Sequence, residues 1–494
     1  MRKEIIMERL IAEPDFINLL LHNHEIATPD QIKILRHPRR DNQSTVVRIK
    51  GAAGSGKTLC LLAKLLQEAM QIPEGAPAAP ENSLMFVCFN REMAHYAARL
   101  LKPFPEAKRI KVTTFDSLVY QLLMPTLDNE AKPPCSDAAF PAREHWKIDY
   151  STDFTAEAMR AVGQRRRRYF GTYLLNTTGQ QGPKNISWMN DELCWLEAHY
   201  QTEAEAQRFY PAAPRTGRGS THLPDQNARQ VILEIWHEQR QLLRAAKRFT
   251  LEQAVNRLMK SKELPRFAMI AVDEAQDLAT RSIQLLLKMR EHETSRVYLA
   301  VDEDQRIYQR DFSWKQLGVA RRATTYKLTE NLRNGYEVEA FALRCQGIVG
   351  DAVPIGTHVQ LLPGGEEKVL ELAATLAAQS DSTTLLVGGP EWDAKLTERG
   401  VPVRNLAKKS NDAEKQSRQE INIALPGLYV MGELKCKGLE FDNVLIPSLE
   451  CGTDDPDDAL RRRYVHFTRA RDNLYVVIGS RIPSWAQKAF HDLL

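Results

Sequence analysis

The chain lacks any apolar run long enough to cross a membrane. None of its stretches reaches the roughly 18 consecutive apolar residues that a bilayer-spanning helix needs. Residues 1–21 alternate charged and apolar side chains and lack the continuous apolar core of a secretory signal. We therefore expect no membrane partner, and we predict an amphipathic helix at residues 1–21.

Cysteine is scarce and shows no pairing pattern. The seven cysteines are odd in number, and no Cys-x-x-Cys segment occurs among them. Such usage is typical of reduced core residues in a cytoplasmic protein, so neither disulfides nor a zinc site are expected.

No charge of one sign dominates either. The 67 Lys and Arg residues nearly balance the 63 Asp and Glu residues, which leaves a net charge of +4. This balance excludes a polycation, so any surface for nucleic acid must be local. The basic clusters at residues 165–168, 321–322 and 461–463 are candidates, but each is equally compatible with a solvated face.

The length and composition predict a globular protein of several domains. The 494 residues contain 43% hydrophobic and 26% charged side chains, as is usual for a globular chain. A chain of this length is expected to divide into roughly two to four domains, each with its own core.

Residues 51–58 form a complete Gly-x-x-x-x-Gly-Lys-Thr phosphate loop. An apolar segment that predicts a strand precedes it, and residues 59–70 predict a helix after it, which is the context that such a loop requires. Backbone N–H groups would cradle phosphate oxygens, Lys57 would reach the β and γ phosphates, and the Thr58 hydroxyl would ligate Mg²⁺. The residues predicted to bind ATP here are Gly51, Ala52, Ala53, Gly54, Ser55, Gly56, Lys57 and Thr58.

An acidic pair follows another apolar segment past the middle of the chain. Asp273 and Glu274 come directly after residues 267–272, which predict a buried strand. At a strand end, Asp273 can hold Mg²⁺ and Glu274 can orient or deprotonate an attacking water. Together with the phosphate loop, this pair predicts binding and hydrolysis of Mg-ATP.

Strands alternate with helices over most of the chain, which predicts an α/β fold with parallel sheets. The predicted strands are residues 46–49, 84–89, 109–113, 267–272, 297–301, 383–387, 444–446 and 474–478. Residues 120–225 differ, because Pro-rich patches there separate predicted helices at 155–169 and 191–208. Residues 405–419 are polar and predict a loop. A second α/β pattern begins after Thr325.

Eight segments in chain order resemble the motifs of superfamily 1A helicases of the UvrD/Rep type. They are Ala-Thr-Pro-Asp-Gln at 27–31, Cys-Phe-Asn-Arg at 88–91, Thr-Thr-Phe-Asp-Ser at 113–117, Asp-Glu-Ala-Gln at 273–276, Val-Asp-Glu-Asp-Gln-Arg-Ile-Tyr at 301–308, Leu-Thr-Glu-Asn-Leu-Arg at 328–333, Cys-Lys-Gly-Leu-Glu-Phe at 436–441 and Tyr-Val-His-Phe-Thr-Arg-Ala at 464–470. A single short motif arises by chance, whereas an ordered series of eight does not.

The resemblance implies two RecA-like P-loop NTPase lobes, with a mainly helical insertion in the first. It places the first lobe at residues 1–119 and 226–325, the insertion at 120–225 and the second lobe at 326–494. It implies catalytic roles for Lys57, Asp273, Glu274, Gln305, Arg333 and Arg469. Gln31 would bond adenine and Glu440 the ribose hydroxyls. Gln305 would sense the γ-phosphate, and Arg333 and Arg469 would be arginine fingers from the second lobe.

The chain departs from the family pattern at several positions. Leu332 stands where a tyrosine stacks on adenine, Asp116 where a histidine contacts DNA, and Arg310 where an aromatic residue stacks on a base. An acid at position 116 would repel phosphate. Tyr308, Phe312 or Trp314 could replace the missing aromatic residue, or Arg310 itself could stack. Gly432 and Leu434 stand where threonine and histidine usually open the motif that residues 436–441 resemble.

The segment between the motifs at residues 328–333 and 436–441 is short. Arg333 and Lys437 are only 104 positions apart, which leaves little room for the large 2B domain of long family members. We therefore expect a compact motor without a full 2B domain, and its absence puts autonomous duplex unwinding in question.

Two functions follow from the resemblance. The first is an ATP-dependent translocase or helicase that moves on single-stranded DNA or at single-strand/duplex junctions, in the 3′-to-5′ direction. The second is an ATP-gated DNA-end sensor that regulates a partner nuclease. It is suggested by similarity in size to the helicase-like subunit of Gabija-type antiphage systems, although no residue motif carries that narrower resemblance. A P-loop ATPase that acts on something other than nucleic acid is the third reading.

Overall fold

The computed structural model describes most of the chain in segments. The described residues are 27–37, 45–52, 54–72, 83–130, 147–166, 186–200, 202–213, 226–302, 317, 323–331, 334–345, 357–379, 381–404, 425–433, 436, 439–450 and 456–489. The helix predicted at residues 1–21 and the loop predicted at 405–419 lie outside them.

Thirteen strands are present in the described residues. In chain order they are β1 (Val46–Gly51), β2 (Leu84–Cys88), β3 (Ile110–Thr114), β4 (Lys147–Ile148), β5 (Arg248–Phe249), β6 (Met269–Val272), β7 (Arg296–Val301), β8 (Ala323–Leu328), β9 (Val359–Pro363), β10 (Thr383–Val387), β11 (Gly427–Met431), β12 (Phe441–Ile446) and β13 (Ala470–Ile478).

Fifteen α-helices accompany these strands in the same segments. They are α1 (Pro29–Leu35), α2 (Lys57–Met70), α3 (Arg91–Leu101), α4 (Phe115–Glu130), α5 (Asp153–Arg165), α6 (Ile186–His199), α7 (Glu203–Phe209), α8 (Gln226–Ala245), α9 (Leu251–Lys260), α10 (Thr280–Lys288), α11 (Tyr336–Cys345), α12 (Glu366–Ala377), α13 (Pro390–Glu398), α14 (Pro456–Phe467) and α15 (Ser484–Ala489).

The first sheet has six parallel strands in the order β3-β2-β6-β7-β1-β8. Every residue of β2, β6 and β7 is buried, because helices cover both faces of the sheet. One face packs against α1, α2 and α3, and the other packs against α4, α9 and α10.

The register of this sheet places four strand ends at one edge. Val87 pairs with Val272, Val272 with Leu299, and Ile49 with Ala300. The segments that follow β1, β2, β6 and β7 therefore emerge side by side. In open parallel sheets the carboxyl edge is where ligands bind.

A helical unit is inserted between β3 and β6. The short strands β4 and β5 flank this unit in the chain and pair in parallel, and helices α5 to α8 lie between them in sequence. Its core surrounds Trp236, which is 1% exposed and donates its indole N–H to Glu197 Oε2 at 2.9 Å. The insertion is mainly helical because four amphipathic helices bury their apolar faces against each other.

The second sheet has five parallel strands in the order β11-β10-β12-β13-β9. Helices α11, α14 and α15 cover one face, and α12 and α13 cover the other. In the described residues between α11 and β12, every strand belongs to this sheet and both helices pack on it.

The predicted α/β fold with parallel sheets is confirmed. One predicted helix, at residues 191–208, is instead two helices, α6 and α7. Helix α6 ends at His199, and α7 begins at Glu203 with Thr202 as its N-cap, whose hydroxyl accepts the N–H of Glu205 at 3.1 Å. Strands β4, β5, β8, β9 and β11 were not predicted. Strands β4 and β5 have only two residues each, and β8 is partly exposed and has a mixed sequence that carries little apolar signal.

The domain boundaries themselves stay a prediction. Strand β8 pairs with β1 across the boundary predicted at residues 325/326. Helix α8 packs in the core of the insertion although it follows the boundary predicted at residue 225. Helix α4 spans the boundary predicted at residues 119/120, and Leu118 and Leu123 on either side of it both pack in the core of the first lobe.

Candidate nucleotide site

The phosphate loop joins β1 to α2 at the carboxyl edge of the first sheet. Gly54 and Gly56 have φ angles of +75° and +80°, which glycine adopts without strain. A Cβ on Gly51 would lie 2.3 Å from the Ser55 hydroxyl oxygen and 3.1 Å from the Leu328 Cβ. A side chain at position 51 would therefore require the Ser55 hydroxyl and Leu328 to move.

The Lys57 side chain is folded into this loop. Its ammonium donates to the carbonyl oxygens of Gly51 at 2.7 Å and Ala52 at 2.8 Å, and it lies 3.4 Å from Asp302 Oδ2. Lys57 is only 7% exposed, so water screens its positive charge little, and that charge acts mainly on groups at the loop.

Thr58 and Asp273 meet although 215 positions separate them. The Thr58 hydroxyl donates to Asp273 Oδ2 at 2.6 Å, and the N–H of Glu274 donates to Asp273 Oδ1 at 3.0 Å. Burial, followed by the charge of Glu274, raises the pKa of Asp273 to about 6. A hydroxyl and a carboxylate are the hard oxygen ligands that Mg²⁺ prefers, so these two side chains fit the predicted metal.

Glu274 has an unusual backbone conformation. Its φ of +51° and ψ of +41° lie in the left-handed region, which costs a side-chain-bearing residue about 1–3 kcal/mol. The strained turn directs the chain from β6 into the short 3₁₀ turn Ala275–Asp277. Strain of this kind is often kept at functional sites, which agrees with the role predicted for Glu274.

Gln276 connects this glutamate to the neighbouring strand end. Its amide nitrogen donates to Glu274 Oε2, and its amide oxygen accepts the N–H of Asp302 at 3.0 Å. Sequence reasoning gave Gln276 no role of its own. The available signal was its place two residues after Glu274 in the Asp-Glu-Ala-Gln segment.

Residues 29–312, more than half of the chain, match the UvrD/REP helicase N-terminal domain. The chain belongs to the UvrD/REP helicase family. Membership implies ATP-dependent helicase activity, binding of DNA, and use of ATP with a divalent metal ion.

No curated protein matches the chain. Within the described residues, no helix combines the length and the apolarity that crossing a bilayer requires.

Gln31, the residue predicted to bond adenine in this UvrD-type chain, is hydrogen-bonded within the protein. Gln31 is 1% exposed; its amide oxygen accepts the N–H of Thr28 at 2.9 Å, and its amide nitrogen donates to Ser55 O at 3.2 Å. The bond to Thr28 belongs to a capping box at the start of α1. Recognition of adenine by Gln31 stays a prediction, and it requires these bonds to be exchanged for bonds to the base.

The candidate residues of the second lobe are also engaged within the protein. Arg469 is 1% exposed, and its guanidinium donates to Val465 O at 2.8 Å and Leu439 O at 3.2 Å. The Glu440 carboxylate lies 3.3 Å from Arg471 Nε. Their roles as arginine finger and ribose ligand remain predictions that would need local rearrangement.

Several predicted positions lie outside the described residues, and their roles stay predictions. They are Ala53, Gln305, Tyr308, Arg310, Phe312, Trp314, Leu332, Arg333, Leu434 and Lys437.

The described basic clusters are largely paired with protein groups. Arg165 contacts Glu238, Arg166 contacts Glu234, and Arg462 contacts Glu433. Arg463 is 3% exposed and donates to His466 Nδ1 at 2.9 Å. Burial and the nearby arginines hold the pKa of His466 well below its usual value, so this imidazole is neutral. Each of these arginines therefore has a protein partner, although the side chains of Arg165 and Arg166 remain 56% and 51% exposed.

The segments that resemble DNA-contacting motifs lie at the carboxyl ends of β2 and β3. Asn90 Oδ1 accepts the N–H of Met93 at 2.7 Å and caps α3, and Thr114 Oγ1 bonds Ser117 Oγ at 2.8 Å. These bonds fix the turns that bring Phe89 and Asp116 to the same sheet edge as the phosphate loop.

Proposed function

We propose that the chain is a motor that couples ATP hydrolysis to movement on single-stranded DNA. The observation that carries the proposal is the convergence of Lys57, Thr58, Asp273 and Glu274 at one sheet edge. Lys57 would neutralise phosphate charge, and Thr58 and Asp273 would hold Mg²⁺, which lowers the charge repulsion that opposes attack on phosphorus. Glu274 would orient the attacking water and accept its proton.

Gln276 would transmit changes at the nucleotide site to the rest of the motor. It contacts both Glu274 and the backbone of Asp302, and Asp302 begins the segment that contains Gln305. A change in the hydrogen bonding of Glu274 would therefore alter the bond between Gln276 and the N–H of Asp302, at the start of that segment. We propose that this contact couples nucleotide state to the grip on the strand.

Movement from 3′ to 5′ is the direction that we propose. The test is displacement of streptavidin from biotinylated single-stranded oligonucleotides in the presence of ATP. We expect faster displacement from a 5′-biotinylated strand than from a 3′-biotinylated strand, since a 3′-to-5′ motor runs toward the 5′ end. Equal, ATP-independent release from both ends would contradict directional movement.

A second candidate, an ATP-gated DNA-end sensor that regulates a nuclease, is favoured by one observation. The described strands between α11 and β12 all belong to the second sheet, and the helices among them pack on it, so the described residues there form no separate 2B domain. A strand-displacement assay on a tailed duplex separates the candidates. Robust unwinding by the chain alone favours the motor, and nucleotide-dependent end binding without unwinding favours the sensor.

A further inference from the structure

A polar network of Glu433, Arg463 and His466 ties helix α14 to the segment that precedes β12. Arg463 and His466 lie one turn apart on α14, and both side chains are buried. Arg463 Nη1 donates to His466 Nδ1 at 2.9 Å, and His466 Nε2 lies 3.0 Å from the carbonyl oxygen of Glu433. Arg463 therefore points inward, although residues 461–463 were a candidate surface for nucleic acid.

The tautomer of His466 follows from these two partners. A guanidinium can only donate, so Nδ1 is the acceptor, and a backbone carbonyl can only accept, so Nε2 carries the proton. Burial, followed by the charge of Arg463, holds the pKa of His466 well below its usual value, so the ring stays neutral and keeps both bonds. His466 thus bridges an arginine of α14 and the backbone at Glu433.

Arg463 extends the polar network to a third segment. Its Nε donates to Leu449 O at 3.4 Å and its Nη2 donates to Glu450 O, both shortly after β12. Its Nη1 also lies 3.5 Å from the Glu433 carboxylate, which meets Arg462 Nη1 at 3.4 Å. A buried charge is costly unless it is paired and hydrogen-bonded, so these bonds hold α14, the chain after β12 and the segment at Glu433 in one arrangement.

The segment that follows Glu433 carries groups predicted to meet the nucleotide. It runs to Leu439 and Glu440, and β12 begins at the next residue. Arg469 Nη1 donates to Leu439 O at 3.2 Å, and Arg469 Nε donates to Val465 O at 2.8 Å. Because Val465 belongs to α14, the Arg469 guanidinium is held between the two elements that the polar network joins.

We propose that the polar network positions Glu440 and Arg469 as one unit for the nucleotide. Arg463 and His466 are the positioning residues, since their side chains join the segment that carries Glu440 to the helix that precedes Arg469. Displacement of a reacting group by about 1 Å can cost about 100-fold in rate, so the spacing of these two groups affects hydrolysis directly. The inference rests on the proposed function, because it takes ATP as the ligand of Glu440 and Arg469.

The first test removes the bridge with His466→Leu and restores it with His466→Gln in the full-length chain. Glutamine can offer an acceptor to Arg463 and a donor to Glu433, whereas leucine offers neither. Hydrolysis is measured at saturating single-stranded DNA with ATP and with 2′,3′-dideoxy-ATP, which lacks the ribose hydroxyls that Glu440 would bond. We expect His466→Leu to lower kcat about 10- to 100-fold and to lose most of its preference for ATP in kcat/KM. His466→Gln is expected to keep both values close to those of the unchanged chain.

His358→Leu is the matched control. His358 directly precedes β9 in the second lobe and is half-buried, and its Nδ1 lies 3.2 Å from Asn473 Oδ1, outside the polar network. The change removes a histidine hydrogen bond from the same lobe without touching α14 or the segment at Glu433. We expect it to leave kcat and the preference for ATP unaltered.

The second test separates positioning from packing. Leucine at position 466 removes a partner from the buried Arg463 guanidinium, which destabilises the fold. The double variant Arg463→Met, His466→Leu replaces both buried polar side chains by apolar ones, so we expect its melting temperature to recover. We expect kcat and the preference for ATP to stay low in this double variant, because the bridge is still missing. Recovery of both values together with the melting temperature would show a purely structural role and overturn the inference.

The outcomes also separate the inference from the function on which it rests. Normal kcat and normal preference in a folded His466→Leu, or loss of kcat with the preference kept, would overturn the positioning role and leave the motor standing. The same holds if the unchanged chain hydrolyses ATP and 2′,3′-dideoxy-ATP equally well while single-stranded DNA still stimulates it. Failure of the unchanged chain to hydrolyse ATP, with or without single-stranded DNA, would overturn both.

Discussion

Replacement of Lys57 by alanine is expected to lower ATP turnover by about 100-fold or more. The change removes a buried ammonium that is anchored on the carbonyls of Gly51 and Ala52, inside the phosphate loop. Loss of one pre-organised charge or donor at a transition state costs about 10²–10³ in rate. Steady-state phosphate release at saturating Mg-ATP measures the effect.

The Lys57 variant needs two controls. Lys102→Ala removes an exposed lysine after α3 and is expected to keep normal turnover. A melting curve of Lys57→Ala checks the fold, because the ammonium also lies 3.4 Å from the buried Asp302 carboxylate. If the folded variant kept turnover within threefold of the unchanged chain, the role assigned to Lys57 in ATP hydrolysis would be contradicted.

Replacement of Glu274 by glutamine is expected to separate ATP binding from hydrolysis. The amide keeps the size of the side chain and can still accept the bond from Gln276, so the strained turn after β6 should persist. It cannot take a proton from water, and loss of a general base costs about 10²–10⁴ in rate. Binding of a fluorescent ATP analogue and single-turnover hydrolysis measure the two steps.

Glu263→Gln is the matched control for this change, since Glu263 is an exposed acid between α9 and β6. It is expected to leave both binding and hydrolysis unaltered. Appreciable turnover by Glu274→Gln would assign the water-activating role to another group, and loss of nucleotide binding would mean that Glu274 acts in holding the site together.

The sequence predicted the parts of this structure whose chemistry is local. The phosphate loop and the Asp273–Glu274 pair were placed correctly on strand ends, because a glycine turn and a strand terminus are encoded by adjacent residues. Parallel sheets followed from the alternation of strands and helices. Their order then explains how Thr58 comes to bond Asp273.

Other features depend on partners that are distant in sequence. Arg469 donates to the backbone carbonyls of Val465 and Leu439, and the Gln31 amide donates to the carbonyl of Ser55. The motifs that contain these two residues do not reveal these bonds. Such contacts follow from tertiary packing and not from any local pattern.

The most direct test of the account is steady-state ATP hydrolysis by the purified chain with and without a single-stranded DNA oligonucleotide, beside Lys57→Ala. The account predicts that the oligonucleotide strongly stimulates hydrolysis, since Gln276 joins Glu274 of the nucleotide site to the backbone of Asp302. It also predicts that Lys57→Ala abolishes the stimulated rate. A robust rate that does not respond to single-stranded DNA would contradict a DNA-coupled motor.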